Sequence, residues 1–174
     1  MKHLIIYTHL NPKSFSKAVA DEVEKIAIQK GHEIRFVDLY SDKFNPVLEL
    51  PDIEYSFMGG DAPDDVKMYQ EHISWADHIT FVYPIWWEQM PAILKGFIDR
   101  VFTNGYAFIY DENGSTGLLV GKSVQLIINT GNPSEILEKN GLHAAVKKVN
   151  EVGIFEFCGM TAKTSFFGDI TMGT

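Results

Sequence analysis

The strongest constraint on this chain is a rhythm: short, nearly unbroken apolar runs alternate with stretches of helical periodicity. The runs are HLIIYT (3–8), HEIRFVDLY (32–40), HITFVYP (78–84), KSVQLIIN (122–129) and TAKTSFFG (161–168). A strand with one wet face alternates apolar and polar residues, whereas a strand covered on both faces reads as a continuous apolar run. Between the runs, SKAVADEVEKIAIQKG (16–31) sets Val19, Val23, Ile26 and Lys30 on one helical face, with Ser16 as N-cap and Gly31 as stop. DDVKMYQEHISWAD (64–77) reads as a second helix. Pro91 takes the favoured first position of a third, where Leu94, Phe97, Ile98, Val101 and Phe102 recur at three and four. Residues 134–152 read as a fourth, interrupted near Gly141. Residues 41–63 carry Pro46, Pro51, Gly59, Gly60 and Pro63 and read as a long loop. The alternation predicts a single α/β domain over residues 1–174: a doubly wound, five-stranded parallel sheet with helices on both faces. Folds of this kind usually add a helix after the fifth strand, which this sequence does not supply before Thr174.

Composition narrows the partners. With 45% apolar and 22% charged residues the chain lies in the globular range. Its 23 carboxylates outnumber 15 Lys plus Arg, giving a net charge of -8 that repels nucleic acid. No apolar run approaches the ~20 residues that a bilayer crossing needs, so membrane insertion is not expected. The single cysteine, Cys158, cannot form an internal disulfide and points to a reducing cytoplasm.

In an open parallel sheet, ligands bind beyond the carboxyl ends of the strands, where the winding reverses. The informative loops are therefore THLNPKSFS (8–16), YPIWWEQMP (83–91) and NTGNPSE (129–135). The first runs into a helix N-terminus, where backbone N–H groups, the hydroxyls of Ser14 and Ser16, and Lys17 would cradle a phosphate. Taken alone, Ser16 would only cap its helix. The second places Trp86 and Trp87 at the same edge, and flat apolar walls suit a planar heteroaromatic ligand. In the third, Thr130, Gly131 and Asn132 can present N–H groups to a ring edge carrying carbonyl oxygens. A phosphate at one end and a flat ring at the other is the shape of a flavin mononucleotide.

On these three loops, and on GLH followed by GIFEFCGM, the chain resembles the NAD(P)H:quinone oxidoreductases of flavodoxin-like fold. The resemblance runs from about residue 2 to residue 168, and YPIWWEQMPAILKGFIDRVF is its most specific piece. It implies a flavin-binding domain that holds FMN, as short bacterial members do, or FAD, as longer ones do, with NADPH or NADH as a substrate. It implies that His9, Ser14, Phe15 and Ser16 hold the phosphate end, and that Pro84, Ile85, Trp86 and Trp87 line the isoalloxazine. Thr130, Gly131 and Asn132 would bond the polar edge of the ring. Relatives form homodimers with active sites astride the interface, and Tyr106, Phe108 and Tyr110 match the aromatic segment that completes the pocket. His143 matches a histidine that stabilises charge during hydride transfer. The family partners that histidine with a tyrosine six residues earlier, where this chain has Leu137. A second departure is Asn132, where longer relatives carry glycine. The activity implied is ping-pong transfer of two electrons from NAD(P)H to a quinone or another flat aromatic acceptor.

Two other roles remain open on the sequence: a flavin-binding ancillary subunit of a potassium-efflux transporter, and a flavodoxin-like electron carrier, although the latter would have a shorter first loop. A phosphoacceptor receiver would need acidic residues at Thr8-His9 and an aspartate at Pro84-Ile85. A cysteine phosphatase would need its cysteine early in the chain. The six histidines form no metal-ligand spacing, and HExxH, GxSxG, P-loop and GxGxxG patterns are all missing. Arg35 and Arg100 are the only arginines, and neither lies in the three loops to select NADPH over NADH.

Overall fold

A computed structural model describes residues 1–112 and 114–169; the last residues of the expected domain lie outside them. The elements in chain order are β1 (Lys2–Tyr7), α1 (Phe15–Gln29), β2 (Glu33–Asp38), α2 (Leu50–Met58), α3 (Asp64–Trp75), β3 (His78–Pro84) and α4 (Ala92–Val101). They continue with β4 (Phe108–Asp111), β5 (Gly114–Gly117), β6 (Ser123–Asn129), α5 (Ser134–Lys139), α6 (Leu142–Lys147), a π-helix (Lys148–Glu156) and β7 (Thr161–Phe167). The five apolar runs form one parallel sheet in the order β2-β1-β3-β6-β7. Its central register sets Ile6 against Val37 and Phe81, and Leu126 against Phe81 and Thr164.

The strand order dictates how the faces are covered. Crossovers between parallel strands are right-handed. Only the step from β1 to β2 moves towards one edge of the sheet; every later step moves the other way. α1 therefore packs on one face, against Tyr7 and Val82 through Ala20. α3, α4, α6 and the π-helix share the opposite face, where Leu4, Ile6, Phe81, Leu126, Phe97 and Phe155 join one apolar cluster.

Several local features depart from the sequence reading. The cap of α1 is Ser14, whose Oγ accepts from the Lys17 N–H at 3.2 Å. Ser16 is instead buried on the sheet-facing side, in line with Ala20 and Ala27, while Ile26 and Lys30 face outwards. The small side chains let the helix lie close to the strands. Residues 41–63 are not a continuous loop, because α2 occupies Leu50–Met58. Pro51 sits in its first turn, where a missing N–H costs nothing, Glu49 and Asp52 form a reciprocal capping box, and Gly59 (φ 77°) ends it. Pro91 is the residue before α4 rather than its first member. The helix expected over 134–152 is interrupted at Gly141 (φ 79°) as the sequence suggests, but it runs on past 152 as a π-helix to Glu156.

One buried cation ties the helical layer together. Arg100 in α4 donates to both Asp65 oxygens (2.6 and 3.0 Å), to Asp52 (3.1 Å) and to the Asn45 carbonyl (2.8 Å). Burial alone would raise the Asp65 pKa, but the Arg100 guanidinium holds it below the usual carboxylate value.

Candidate functional site

The loops after β1, β3 and β6 meet at one edge of the sheet because their strands are adjacent and in register. Tyr7 pairs with Val82, and Pro84 pairs with Asn129. After β1 the chain turns to one face and after β3 to the other, which opens a crevice between them.

The first loop is fixed by its own polar groups. Asn11 N donates to His9 Nδ1 (2.9 Å), Lys13 N donates to Asn11 Oδ1 (2.9 Å), and Tyr7 OH donates to the Asn11 carbonyl (3.2 Å). Tyr7 OH also lies 3.2 Å from Ser14 Oγ. Burial holds His9 below the usual imidazole range, which suits Nδ1 as an acceptor. Past Ser14, the first-turn donors Phe15 N–H and Ser16 N–H have no intrahelical acceptor and open on the crevice end of α1. Ser16 Oγ is turned inwards and accepts from Asn129 Nδ2 at 2.7 Å. That bond joins α1 to the end of β6.

The second loop begins with Ile85 N donating to the Asn129 carbonyl at 2.8 Å. Trp86 and Gln89 then exchange backbone hydrogen bonds across a two-residue turn, with φ positive at both Trp87 (53°) and Glu88 (57°). Such a turn normally takes glycine or asparagine, so a tryptophan there is strained. The turn separates the two indoles. Trp86 is 38% exposed with its ring centroid 6.1 Å from that of His9, whereas Trp87 is 98% exposed. Within one chain, Trp86 alone of the pair closes on the first loop.

In the third loop, Thr130 N donates to the Phe167 carbonyl (2.9 Å) and Asn132 N donates to Thr130 Oγ1 (3.2 Å). Two of the three expected backbone donors are thus engaged, and Gly131 N–H is the one left. Phe15 approaches the same corner, 6.2 Å from Phe167 between centroids.

The sequence reading did not single out Asn129 or Thr8 as site residues. Both lie at the carboxyl edge, and Thr8 Oγ1 and Asn129 Oδ1 are buried without a partner among the described residues. Orphaned polar atoms at a binding edge fit a polar ligand that completes them. Their signal was present only as polar residues ending apolar runs.

Three of the remaining expected residues lie elsewhere. Tyr106 OH donates to the Gln70 carbonyl (2.7 Å) and contacts Ser74 Oγ (3.0 Å), at the end of α3 that leads into the start of β3. The β4–β5 hairpin carrying Phe108 and Tyr110 packs on Phe157, and Leu119 N donates to the Cys158 carbonyl just before β7. These three aromatics are rooted at the amino end of the sheet, opposite the three loops. His143 is buried on the flank of β7, stacked on Phe166 at 3.9 Å and 9°, beside an open cavity of about 500 Å³. Leu137 is 2% exposed and packs inwards.

A family model described as flavodoxin-like fold matches residues 1–173. The chain belongs to this family. Within the flavodoxin-like family, it is 37% identical over 172 residues to an uncharacterized NAD(P)H oxidoreductase of Haemophilus influenzae, covering 98% of this chain and 85% of that one. It is 29% identical to NAD(P)H dehydrogenase [quinone] 1 of Cavia porcellus, covering 90% of this chain but 64% of the longer mammalian protein. Among solved structures, the NAD(P)H:quinone oxidoreductase of Methanothermobacter marburgensis superposes with a TM-score of 0.91 at 28% identity, covering 100% of this chain and 87% of the other. Among the described residues, no group of His, Cys, Asp and Glu could hold a metal ion, and no helix is long and apolar enough to cross a membrane.

Proposed function

We propose that this flavodoxin-like chain is a flavin-dependent NAD(P)H oxidoreductase that passes two electrons to a quinone or similar flat aromatic acceptor. One observation carries the reading. A helix N-terminus, the Trp86 indole set 6.1 Å from His9, and two orphaned polar atoms meet at one edge of the sheet. The names of the Haemophilus, Cavia and Methanothermobacter relatives support it.

FMN is the flavin we propose, since the cradle at α1 suits a terminal phosphate. Phe15 N–H and Ser16 N–H would hold that phosphate, with Ser14 fixing the turn, Lys17 adding charge and His9 closing the loop over it. Pro84, Ile85 and Trp86 would wall the ring. Gly131 N–H would oppose negative charge on its polar edge, with the Thr130 and Asn132 side chains beside it. The bound flavin supplies the two-electron chemistry; the chain supplies position and electrostatics. NAD(P)H and acceptor would use the same place in turn, which gives ping-pong kinetics. His143, buried and stacked on Phe166, would offset charge near the third loop, without the tyrosine that the family sets where Leu137 stands.

A homodimer follows from the same reading. Tyr106, Phe108, Tyr110 and the exposed Trp87 cannot enclose the crevice of their own chain, and a second copy would bring them to it. A cytoplasmic location suits the lone, buried Cys158. The test is an anaerobic NADPH titration of FMN-reconstituted protein, followed through the flavin absorption. Bleaching that a quinone reverses, with parallel initial-rate lines when both substrates are varied, is the expected result. A bound flavin that NADPH leaves oxidised would sink the reading in favour of a carrier or a transporter subunit.

A further inference from the structure

Helix α2 is turned inside out. A surface helix normally sets its apolar stripe against the core and its polar side chains in water. In α2, Leu50, Ile53 and Phe57 recur at three and four and face outwards with Met58, whereas Asp52 and Ser56 are the buried pair. Exposure runs from 37% at Ile53 to 74% at Met58, against 2% at Asp52. The inward groups are polar and paired. Asp52 accepts from Arg100 Nε (3.1 Å), Ser56 Oγ accepts from Asn104 N–H (3.1 Å), and Tyr55 OH donates to Gln70 Oε1 (3.0 Å). Val47 and Leu48, just ahead of the helix, are exposed as well. Polar contacts therefore hold α2 in an orientation that leaves its apolar side in water.

We propose that this apolar stripe is the face on which a second copy of the chain docks. The inference rests on the homodimer proposed above and names the surface that forms it. Area, charge and position select that occupant. Six large side chains, each more than a third exposed on one short segment, form a patch rather than scattered surface residues. Such a patch approaches the ~800 Å² that one partner of a standard interface buries. From Phe44 to Val66 the chain has six carboxylates and no Lys or Arg, which disfavours an anionic lipid surface. Arg100 neutralises Asp52 and Asp65, so Glu54 is the one charge on the outward side of α2. A nearly uncharged stripe suits a like surface, and a two-fold contact reuses the same patch on both copies. Position adds continuity. Asn104, which also donates from Nδ2 to the Ser56 carbonyl (3.0 Å), stands two residues before Tyr106. At the other end, Gly96 of α4 leaves no room for a Cβ against Pro46. The stripe is thus anchored between α4, which follows the Trp86–Gln89 turn, and the aromatic segment that the homodimer reading gives to the second copy.

Sedimentation equilibrium of the protein, with and without FMN, tests the face. The variants are Leu50→Glu and Phe57→Glu, with Ile28→Glu, at an exposed apolar position of α1, as control. The parent should sediment at twice the 19.7 kDa of one chain. Each α2 variant should weaken the dimer about 100-fold, because it buries a carboxylate in the contact. Ile28→Glu should leave the dimer unchanged. The substituted side chains face water within one chain, so the variants should keep the parent's urea midpoint. Hydrogen exchange on the unsubstituted protein gives a second reading: amides of Leu50–Met58 should exchange more slowly above the dimer's dissociation constant than below it. A dimer that withstands both α2 substitutions, or is lost only in Ile28→Glu, overturns the face and leaves the homodimer standing. A parent that sediments as a monomer overturns both, and NADPH reduction of its flavin then decides the flavin reading separately.

Discussion

On one face of the sheet, Phe81, Phe97, Phe102 and Phe155 contact one another ring to ring at 5.1 to 6.4 Å beneath α3, α4 and the π-helix. On the other, α1 meets Tyr7, Val82 and the half-buried Phe36 and Ile127. Beyond these and the buried Ile5, that second face carries polar residues: His3, His78 and Thr80 towards the amino end, and Ser123, Gln125 and Ser165 towards β7. The difference follows from handedness, since only one crossover runs over the second face. It teaches that the two faces do separate work. The aromatic face supplies most of the burial that holds the sheet together. The thinner face carries the helix whose N-terminus forms the phosphate cradle and the Ser16–Asn129 bond that positions it.

The largest effect should come from cutting the aromatic face. Phe97→Ala removes a ring that packs on Phe44, Tyr69 and Phe102 and should cost ~4 kcal/mol in urea unfolding. Ile127→Ala on the α1 face, half-buried, should cost ~1.5 kcal/mol. Equal losses in the two variants would break the comparison.

The next effect is a pH dependence peculiar to the polar face. His3, His32 and His78 cluster there, with ring centroids 5.9 and 4.8 Å from that of His3. Burial, then the charges of His78 and His32, lowers the His3 pKa to about 4. His78 is lowered too, by burial and by His32. A histidine with a depressed folded pKa takes up protons more readily when unfolded. Stability is therefore full above about pH 6.5 and falls as the pH drops towards 4. Between pH 7 and pH 5, His3 alone should remove ~2 kcal/mol. His3→Leu should flatten that slope by this amount, as read by urea midpoints across the range. An unchanged slope would show that the polar face carries no such cost.

How much of this was legible depended on how far apart the determining residues lie. The strands were readable because burial on both faces leaves continuous apolar runs, and the three loops followed from the strand ends. α2 was not readable, because Pro51 and Gly59 look like breakers until Glu49 and Asp52 are seen to cap the same helix. The β4–β5 hairpin escaped because FIYD and GSTG have no apolar run to announce them. The Ser16–Asn129 bond joins residues 113 apart, and the histidine cluster joins β1, β3 and the residue before β2. No local pattern encodes such contacts; they exist only once the register is set.

The smallest effect separates two serines that the sequence leaves exchangeable. Ser14 caps α1 by accepting from Lys17 N–H, so Ser14→Ala should lower stability by ~1 kcal/mol. Ser16→Ala removes the acceptor of a buried Asn129 amide and should cost a similar amount, since Asn129 Oδ1 already lacks a partner. Stability alone would not tell them apart, but FMN affinity would. Loss of the cap frays the first turn, whose N–H groups are the proposed phosphate donors. Binding must then re-form that turn, so Ser14→Ala should weaken FMN affinity about five-fold. Ser16→Ala leaves the turn intact, so its FMN affinity should stay within about two-fold of the parent's. If Ser16→Ala is instead the variant that loses FMN affinity, the cradle is organised from β6 rather than from the cap, and the roles of the two serines are reversed.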